Sequence, residues 1–205
     1  MSGEGVPPQL FRDLLGRFAT GVTVLTARAA DGRPFGMTAN AVASVSLDPP
    51  LVLVCVDRTR DIHDVLRAAP AFALSVLSED QEALSRRFAE DSDDRFAGVP
   101  MVEGPRGLPL VADAVAHIVC ATRNAVPAGD HTIFIGLVTG GTAFERSPLA
   151  YFRAHYGRFA QASPPGPGQS SPPGPGPSSP PGPLPLTGEG GRRGRSEPMD
   201  DRAHG

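Results

Sequence analysis

The sequence of 205 residues contains no lysine and no tryptophan, and it has only two cysteines. All 19 basic residues are therefore arginines, so a phosphate site in this chain must use guanidinium groups or backbone N–H groups. Cys55 and Cys120 each lie inside an apolar run, LVLVCV and AHIVCA. This setting favours small buried residues in a reducing compartment over a disulfide or metal ligands.

Long apolar segments are also missing. No run of about 18 apolar residues occurs, which predicts a chain without a transmembrane helix. The start MSGEGVPPQLF has neither the basic region nor the apolar region of a signal peptide, so we expect a cytoplasmic protein. The formal net charge of −3 gives no support for nucleic-acid binding. The scattered histidines predict no metal site.

Motifs for protein-centred catalysis are absent as well. The sequence has no Walker loop, no G-x-S-x-G nucleophile motif, no H-E-x-x-H zinc motif and no G-x-G-x-x-G after a strand. Hydrolysis lacks a nucleophile with an evident base. These absences favour a chemistry in which a bound cofactor carries out the difficult step.

Composition divides the chain into three parts. Residues 1–7 are predicted to be a flexible N-terminus, and residues 8–162 a single folded domain. Residues 163–205 begin with the repeats SPPGPGQS and SPPGPGPS, in which glycine does not recur at every third position as it does in collagen. Because this Pro/Gly/Ser-rich segment has little apolar surface to bury, we predict a disordered tail.

The folded domain alternates short apolar strands with a few helices, which predicts a mainly β fold: a closed or nearly closed antiparallel β-barrel with peripheral helices. Helices are predicted over 9–18, over 61–68, and from a capping box at Ser78 and Gln81 to Phe88. Strands are predicted over 21–27, 36–46, 51–56 (fully buried), 71–77, 115–126 and 131–144, with a loop over 91–109 and a hairpin turn at 127–129.

The stretch GMTANAVASVSLDPP (36–50) has an unusual pattern for a strand. Its even positions carry Thr38, Asn40, Ser44 and Ser46, while its odd positions are mostly alanine. The polar face thus offers uncharged hydrogen-bonding groups at intervals of about 6.6–6.8 Å. Such a face suits the edge of a heteroaromatic ring and a polyol chain, and the alanines let a flat ring approach the backbone. The alternative is a barrel strand with a solvated outer face.

Two pairs of arginines are candidates for binding phosphate. Arg58 and Arg60 follow a predicted strand and precede a predicted helix, whose free N–H groups also attract anions. The alternative is that both pair with neighbouring aspartates. Arg86 and Arg87 lie late in a predicted helix, where interaction with the helix dipole is a sufficient role for one of them.

His131 is predicted to be the first residue of a strand, after a glycine-containing turn. A lone histidine in this position has two readings. It is a structural or solvent-facing residue, or it contacts a ligand bound at the opening of the barrel.

Three segments resemble, in order and spacing, those of the short flavin reductases: FATGVTVLTA (18–27), GMTANAVASVSLDPPLVLVCVDR (36–58) and PAGDHTIFIGLV (127–138). The segments LSRRFA (84–89) and AYFRAHYGRF (150–159) are similar to the same family, so the resemblance covers about residues 8–160. It implies a homodimeric flavin-binding split barrel. It also implies binding of FMN or FAD, oxidation of NADH or NADPH, and delivery of reduced flavin to a flavin-dependent monooxygenase component.

The resemblance also implies roles for individual residues. The strand matching 37–46 would lie along the isoalloxazine ring and ribityl chain, and the segments 55–60 and 86–88 would lie near the phosphate end. His131, in the family's GDH motif, would lie on the nicotinamide side as the catalytic candidate. The implied flavin contacts are Met37, Thr38, Ala39, Asn40, Ser44, Val45, Ser46, Cys55, Arg58, Arg60, Arg86, Arg87, Phe88 and Tyr156, the last of which would close the site.

Two other functions are compatible with these residues. One is a split-barrel oxidase or monooxygenase that uses its own bound flavin on an organic substrate. The other is a non-catalytic flavin-binding protein. Oxidation of NAD(P)H with added flavin and no other substrate distinguishes a reductase from both.

Overall fold

The computed structural model describes residues 5–92 and 94–160. The tail predicted over 163–205 and most of the predicted flexible N-terminus lie outside these residues, so their disorder stays a prediction. Within the described ranges, no helix has both the length and the apolar character needed to cross a membrane.

The described residues form three α-helices and twelve β-strands. The helices are α1 (Pro8–Leu15), α2 (Asp61–Ala68) and α3 (Glu82–Ala89). The strands are β1 (Thr20–Gly21), β2 (Thr23–Arg28), β3 (Pro34–Ala39), β4 (Val42–Leu47), β5 (Pro50–Asp57), β6 (Ala71–Val76), β7 (Met101–Glu103), β8 (Pro109–Val111), β9 (Ala116–Ala128), β10 (His131–Ala143), β11 (Leu149–Phe152) and β12 (His155–Arg158).

Seven of the strands form one antiparallel sheet in the order β3-β2-β6-β9-β10-β5-β4. Its first and last strands are consecutive in the chain and are joined only by Asn40 and Ala41. The three steps from Ala39 to Val42 span at most about 11 Å, so the two edges must lie close together, and the sheet must curl into a barrel. The bond from the Cys55 N–H to the Ala41 carbonyl, 3.0 Å long, lies at this junction. The predicted barrel is confirmed.

The interior of the barrel is filled by its own side chains. Phe72, Val54 and Phe134 are completely buried there. Gly136 on β10 faces Phe72 so closely that an added Cβ would come within 2.5 Å of the phenyl ring. Glycine is therefore required at this position, and side chains of the barrel pack tightly around it.

Three smaller elements accompany the seven-stranded sheet. Strands β1, β11 and β12 form a three-stranded sheet, and β7 pairs with β8. Helix α3 packs mainly against β3 through Phe88, which is 1% exposed. Helix α1 buries none of its residues against the other described residues.

The prediction of one continuous strand over 36–46 was wrong. The chain leaves β3 after Ala39 and enters β4 at Val42, on the opposite edge of the sheet. Residues that share a face in a single flat strand are therefore distributed over two strands. Alternation of polar and apolar residues does not reveal such a break, because both strands keep the same period of two.

The predicted full burial of 51–56 was also wrong. Val54 and Val56 are completely buried, but Leu51, Leu53 and Cys55 on the other face of β5 are only partly covered. An uninterrupted apolar run fits a strand that is covered on both sides. In this chain alone, one of those sides is incompletely covered.

Other boundaries differ by a few residues. Helix α1 ends at Leu15, so Phe18 lies outside it and is 72% exposed. The segment predicted as a loop over 91–109 contains β7 and the first residue of β8. The final hairpin turns at Gly129 and Asp130 rather than at 127–129, because Pro127 and Ala128 still pair with β10. Strands β11 and β12 were not predicted.

The helix α2 was predicted with its observed bounds. The capping box before α3 was only half correct. The Gln81 side chain accepts the N–H of Ser78 at 3.0 Å, as predicted. The Ser78 hydroxyl, however, donates to Asp80 Oδ1 at 2.6 Å rather than capping the helix, which begins at Glu82.

Candidate functional site

An open cleft of about 160 Å³ lies on the outside of the barrel, where β3 ends near the link to β4. Its walls come from β3, from the start of α2, from the end of α3 and from the β11–β12 hairpin. The lining residues are Val22, Met37, Thr38, Asn40, Arg60, Phe88, Ala89, Tyr151 and Tyr156. Six of them are among the predicted flavin contacts: Met37, Thr38, Asn40, Arg60, Phe88 and Tyr156.

One part of the cleft, which we call the neutral end, consists of Thr38, Ser85, Tyr151 and Tyr156. The Thr38 hydroxyl donates to the Ser85 carbonyl oxygen at 2.6 Å. The Ser85 and Tyr156 hydroxyls lie 2.9 Å apart, and the two tyrosine rings pack edge to face at 5.2 Å between centroids. These bonds connect β3, α3 and β12. The neutral end is therefore held in place without a charged side chain in the chain of bonds.

The backbone of β3 is available on one side. Strand β3 is an edge strand that pairs only with β2 in its sheet. The Gly36 carbonyl points away from β2, because it accepts a bond from the Arg95 side chain at 2.6 Å. Backbone direction alternates in an antiparallel pair, so the N–H and carbonyl of Thr38 point the same way as those of Gly36. They are free of the β2 ladder and can bind a ligand.

Gly36 allows α3 to pack closely against β3. A Cβ at this position would lie 2.8 Å from the Phe88 ring and 2.9 Å from the Phe96 ring. Phe88 lines the cleft. A larger residue would displace it, so the glycine also determines the shape of the site.

At the other end of the cleft, Arg60 belongs to an ionic cluster with Asp61, Asp91 and Arg95, which we call the charged end and in which only Arg60 lines the cleft. Arg60 Nη1 lies 2.8 Å from Asp91 Oδ1. Arg95 Nη2 lies 2.9 Å from Asp61 Oδ2, and the Arg95 side chain is only 6% exposed. Arg95 also donates to the Ser92 carbonyl at 2.8 Å. Two cations and two anions therefore lie in one cluster at the start of α2.

Arg60 occupies the N-cap position of α2, with extended backbone, and no side chain caps this helix. The His63 N–H bonds to the Arg60 carbonyl at 3.0 Å, which leaves the N–H groups of Asp61 and Ile62 at the start of the helix, an arrangement that favours anions. Arg58 is exposed on the preceding turn and does not line the cleft. Of this pair, the structure brings only Arg60 to the cleft.

The second predicted pair lies on α3. Arg86 pairs with Glu82 at 2.7 Å, and its guanidinium lies over the Tyr156 ring, 4.8 Å from the centroid. Arg87 donates to the carbonyls of Asp94 and Ala97 at 2.7 and 2.6 Å. Arg86 therefore borders the neutral end through Tyr156, whereas Arg87 is bound to the chain that follows α3. Neither residue lines the cleft.

His131 lies beside the turn between β5 and α2, and it does not line the cleft of this single chain. It is opposite Asp57 in the β10–β5 ladder, and its Nδ1 lies 2.7 Å from Asp130 Oδ1. The hydrogen bond with His131 lowers the pKa of the Asp130 carboxyl. Bonds from the Thr59 N–H and hydroxyl similarly lower the pKa of Asp57. Both carboxylates beside the half-exposed histidine are thus favoured in their ionised form.

The remaining predicted contacts do not line the cleft of this single chain. Ala39 is buried and bonds through its carbonyl to the Thr23 hydroxyl at 2.7 Å. Ser44, Val45 and Ser46 lie on β4, on the opposite edge of the sheet. Cys55 lies on the outer face of β5, where burial raises the pKa of its thiol. Burial raises the pKa of the Cys120 thiol to about 12, and both cysteines are free.

Several residues of the site were missed from the sequence. Val22, Ala89 and Tyr151 line the cleft, Ser85 belongs to the neutral end, and Asp91 and Arg95 belong to the charged end. Tyr151 lies five residues before Tyr156 in the same hairpin, where antiparallel pairing places them opposite each other. Recognising the segment FRAHY (152–156) as a hairpin would have identified Tyr151 as the residue opposite Tyr156. Arg95 gave no such signal, because its partners are distant in sequence.

The residues of the cleft fit a flavin in kind. Uncharged hydroxyls and free backbone groups at one end match a heteroaromatic ring and a polyol, and an arginine at the other end matches a phosphate. The volume of about 160 Å³ is below the roughly 300–1,000 Å³ of pockets that enclose a small molecule. A flavin would therefore extend beyond the surface that one chain provides.

Comparison with protein families gives a match to the flavin reductase like domain over residues 15–160. The chain is 45% identical over 159 residues to a "Probable flavin reductase" of Rhizobium meliloti (strain 1021), covering 76% of this chain and 50% of that protein. It thus spans half the length of this relative. It is 39% identical over 149 residues to the reductase component of a 4-nitrophenol 4-monooxygenase/4-nitrocatechol 2-monooxygenase of Rhodococcus opacus, covering 73% of this chain and 80% of that protein.

Among solved structures, the chain is similar to an NADH:FAD oxidoreductase of Streptomyces globisporus C-1027 in complex with NAD and FAD fragments. The TM-score is 0.72 at 44% sequence identity, with 77% of this chain and 98% of that chain covered. The similarity extends over almost all of the described residues.

Proposed function

The chain belongs to the flavin reductase family, and from this premise we propose that it is an NAD(P)H:flavin oxidoreductase. It transfers hydride from NADH, or from NADPH, to FMN or FAD. Similarity to the NADH:FAD oxidoreductase of Streptomyces globisporus supports NADH as the donor. This function agrees with the lack of motifs for protein-centred catalysis.

The observation that carries the proposal is the pairing of two unlike ends in one cleft. Thr38 and Tyr156 contribute uncharged groups, and Arg60 contributes a cation, all at the surface of the same cleft. A nucleotide-like ligand with a ring at one end and a phosphate at the other needs this division. A site for a simple anion or a simple apolar molecule does not.

A bound flavin supplies the ring that accepts the hydride. The residues of this chain bind and orient that ring. The free backbone N–H of Thr38 would donate to an oxygen or nitrogen at the ring edge, where it would also stabilise negative charge. Met37, Ala39 and Asn40 would position the strand and the polyol chain, and Phe88 would limit the depth of the cleft. No strong acid or base is required of these residues.

His131 is assigned to the nicotinamide side. Its Nδ1 is engaged with Asp130, which leaves Nε2 available for the carboxamide or ribose of the nucleotide. His131 does not line the cleft of one chain. This role therefore requires a site that extends beyond the cleft to the surface around His131. Ser44, Val45, Ser46 and Cys55, which also lie outside the cleft, are retained as contacts on the same condition.

We propose a homodimer as the form that completes the site. Leu10, Phe11, Leu14 and Leu15 on α1 are each about half exposed, and the outer face of β5 carries Leu51, Leu53 and Cys55 only partly covered. Apolar surface of this extent is typical of an interface. A second copy that covers it would bring further surface to the small open cleft.

The physiological partner is proposed to be a flavin-dependent monooxygenase that consumes the reduced flavin. Similarity to the reductase component from Rhodococcus opacus supports this assignment. A cytoplasmic location is proposed from the two free cysteines, which fit a reducing compartment.

The test is the initial rate of NAD(P)H oxidation by the purified chain with added flavin and no other substrate. All four pairings of NADH or NADPH with FMN or FAD are compared. We expect turnover with NADH and at least one flavin. Flavin binding without turnover would indicate a carrier, and turnover only with an organic substrate would indicate an oxidase or monooxygenase.

A further inference from the structure

Arg60, the cation that lines the cleft, already has an anionic partner. Its Nη1 lies 2.8 Å from Asp91 Oδ1, and the two side chains are 35% and 74% exposed. Asp91 itself does not line the cleft. The guanidinium that is placed to receive a phosphate is therefore bound to a carboxylate on the rim.

The nearest alternative partners of Arg60 are occupied. Asp61, its neighbour in sequence, is paired with Arg95 at 2.9 Å. Asp57 accepts both the N–H and the hydroxyl of Thr59, at 2.8 and 2.9 Å. Among the described residues, Asp91 is thus the carboxylate that pairs with the Arg60 side chain.

Buried Arg95 fixes the backbone next to Asp91. It donates to the Ser92 carbonyl at 2.8 Å and to the Gly36 carbonyl at 2.6 Å, which ties the residue after Asp91 to strand β3. Asp91 also lies 4.0 Å from Arg95 Nη2. The carboxylate is therefore presented to Arg60 from an anchored segment, rather than meeting it by chance at the end of a free loop.

We propose that Asp91 is a specificity-determining residue that competes with the phosphate of a flavin for Arg60. An entering phosphate must share Arg60 with this carboxylate or replace it there. Two anions that contact the same guanidinium are close enough to repel each other. Asp91 thereby lowers the preference of the site for phosphorylated flavins and speeds their release, as a reductase that passes its product to another enzyme requires. This inference rests on the proposed function.

The test compares FMN with riboflavin, which has the same ring and polyol but no phosphate. Dissociation constants are measured from the quenching of flavin fluorescence for the wild type and for Asp91→Asn. We expect the Kd for FMN to fall about three- to fivefold in the variant, in the range of an exposed ion pair. The Kd for riboflavin should change by less than about twofold. The second variant, Asp91→Ser, should show the same selective gain.

Asp113→Asn is the matched control. Asp113 pairs with Arg146 at 2.6 Å, is also exposed, and lies outside the cleft. Its substitution removes one carboxylate and one ion pair, as Asp91→Asn does, and should leave both dissociation constants unchanged. Thermal melts of all variants confirm that each is folded.

A double-mutant cycle with Arg60→Gln tests whether the effect passes through Arg60. Asp91→Asn should give a clearly smaller gain in FMN affinity when Arg60 is already replaced, because only the direct repulsion between carboxylate and phosphate is then relieved. An equal gain in that background, or an equal gain for riboflavin, would overturn the inference while leaving flavin binding established. If the wild type binds neither flavin, the proposed function fails and this inference fails with it.

Discussion

The two ends of the cleft are held together by different kinds of interaction. At the neutral end, Thr38, Ser85 and Tyr156 bond to one another and need no counter-ion. At the charged end, Arg60 and Arg95 each require an aspartate. Uncharged hydrogen bonds depend on distance and direction, so the neutral end is suited to recognise shape. Ion pairs act over longer range, so the charged end is suited to select for charge.

The largest effect is expected for Arg95→Met, which breaks the charged end from within. Loss of this buried cation leaves Asp61 and the Gly36 carbonyl without their partner. Breaking a fully buried pair costs about 3–5 kcal/mol. Because Asp61 is 43% exposed, we expect the free energy of unfolding to fall by about 2–3 kcal/mol, measured by urea denaturation.

The same variant should weaken binding of FMN and riboflavin alike, because Arg95 also holds strand β3 through Gly36. Arg95→Lys is the control, since it keeps the charge and loses the fork. It should recover part of the stability. An unchanged denaturation midpoint in Arg95→Met would contradict the importance given to this residue.

Thr38→Val tests the neutral end. The substitution keeps the shape and removes the bond to the Ser85 carbonyl, which orders β3 against α3. A bond of this kind contributes about 1 kcal/mol, so we expect the Kd for both FMN and riboflavin to rise about fivefold. Equal losses for the two flavins would sharpen the comparison with Arg60, and a loss confined to FMN would refute it.

His131→Ala tests whether the histidine belongs to either end. We expect the KM for the nicotinamide nucleotide to rise about fivefold, as for a lost hydrogen bond. The Kd for flavin should change little, because His131 does not line the cleft. His155→Ala is a control, since that histidine is exposed and, within the described part of the chain, its side chain bonds to the nearby Arg153 carbonyl. Steady-state kinetics equal to those of the wild type would remove His131 from the site.

The smallest effect is expected for the dependence of stability on pH in the acid range. Bonds from Thr59 hold the pKa of Asp57 below its ordinary value of 3.8. A lowered carboxyl pKa stabilises the fold above the unfolded pKa, and this contribution is lost as the pH falls through the folded pKa. Thr59→Ala should raise the pKa of Asp57 towards 3.8, as measured by carboxyl 13C chemical shifts. The free energy of unfolding of Thr59→Ala should be lower than that of the wild type at pH 7, and the two values should converge below pH 3.8.

The sequence predicted the barrel because local patterns determine most of it. The apolar runs of β2, β6 and β9 and the amphipathic helix α2 carry their own periodicity. It did not predict the break at Asn40 and Ala41, since that break depends on which edges of the sheet meet. For the same reason it placed Ser44 and Ser46 beside Thr38, although the structure puts them on different strands.

The candidate site was predicted in the same uneven way. Thr38, Asn40, Arg60 and Tyr156 were identified from their residue types and the family resemblance, and they do meet in one cleft. Asp91 and Arg95 were not identified. Their importance comes from contacts with Arg60, Asp61 and Gly36, which lie about 30 to 60 residues earlier in the chain. Such contacts leave no mark on local composition.

The two-residue link between β3 and β4 joins the edges of the sheet at the place where the cleft opens. A molecule bound there would connect the two edge strands, β3 and β4, which do not pair with each other in the sheet. Slower amide exchange should therefore appear first around Asn40 and Ala41 and then spread along both neighbouring ribbons. Binding of a ligand at this surface would in this way make the whole barrel more rigid.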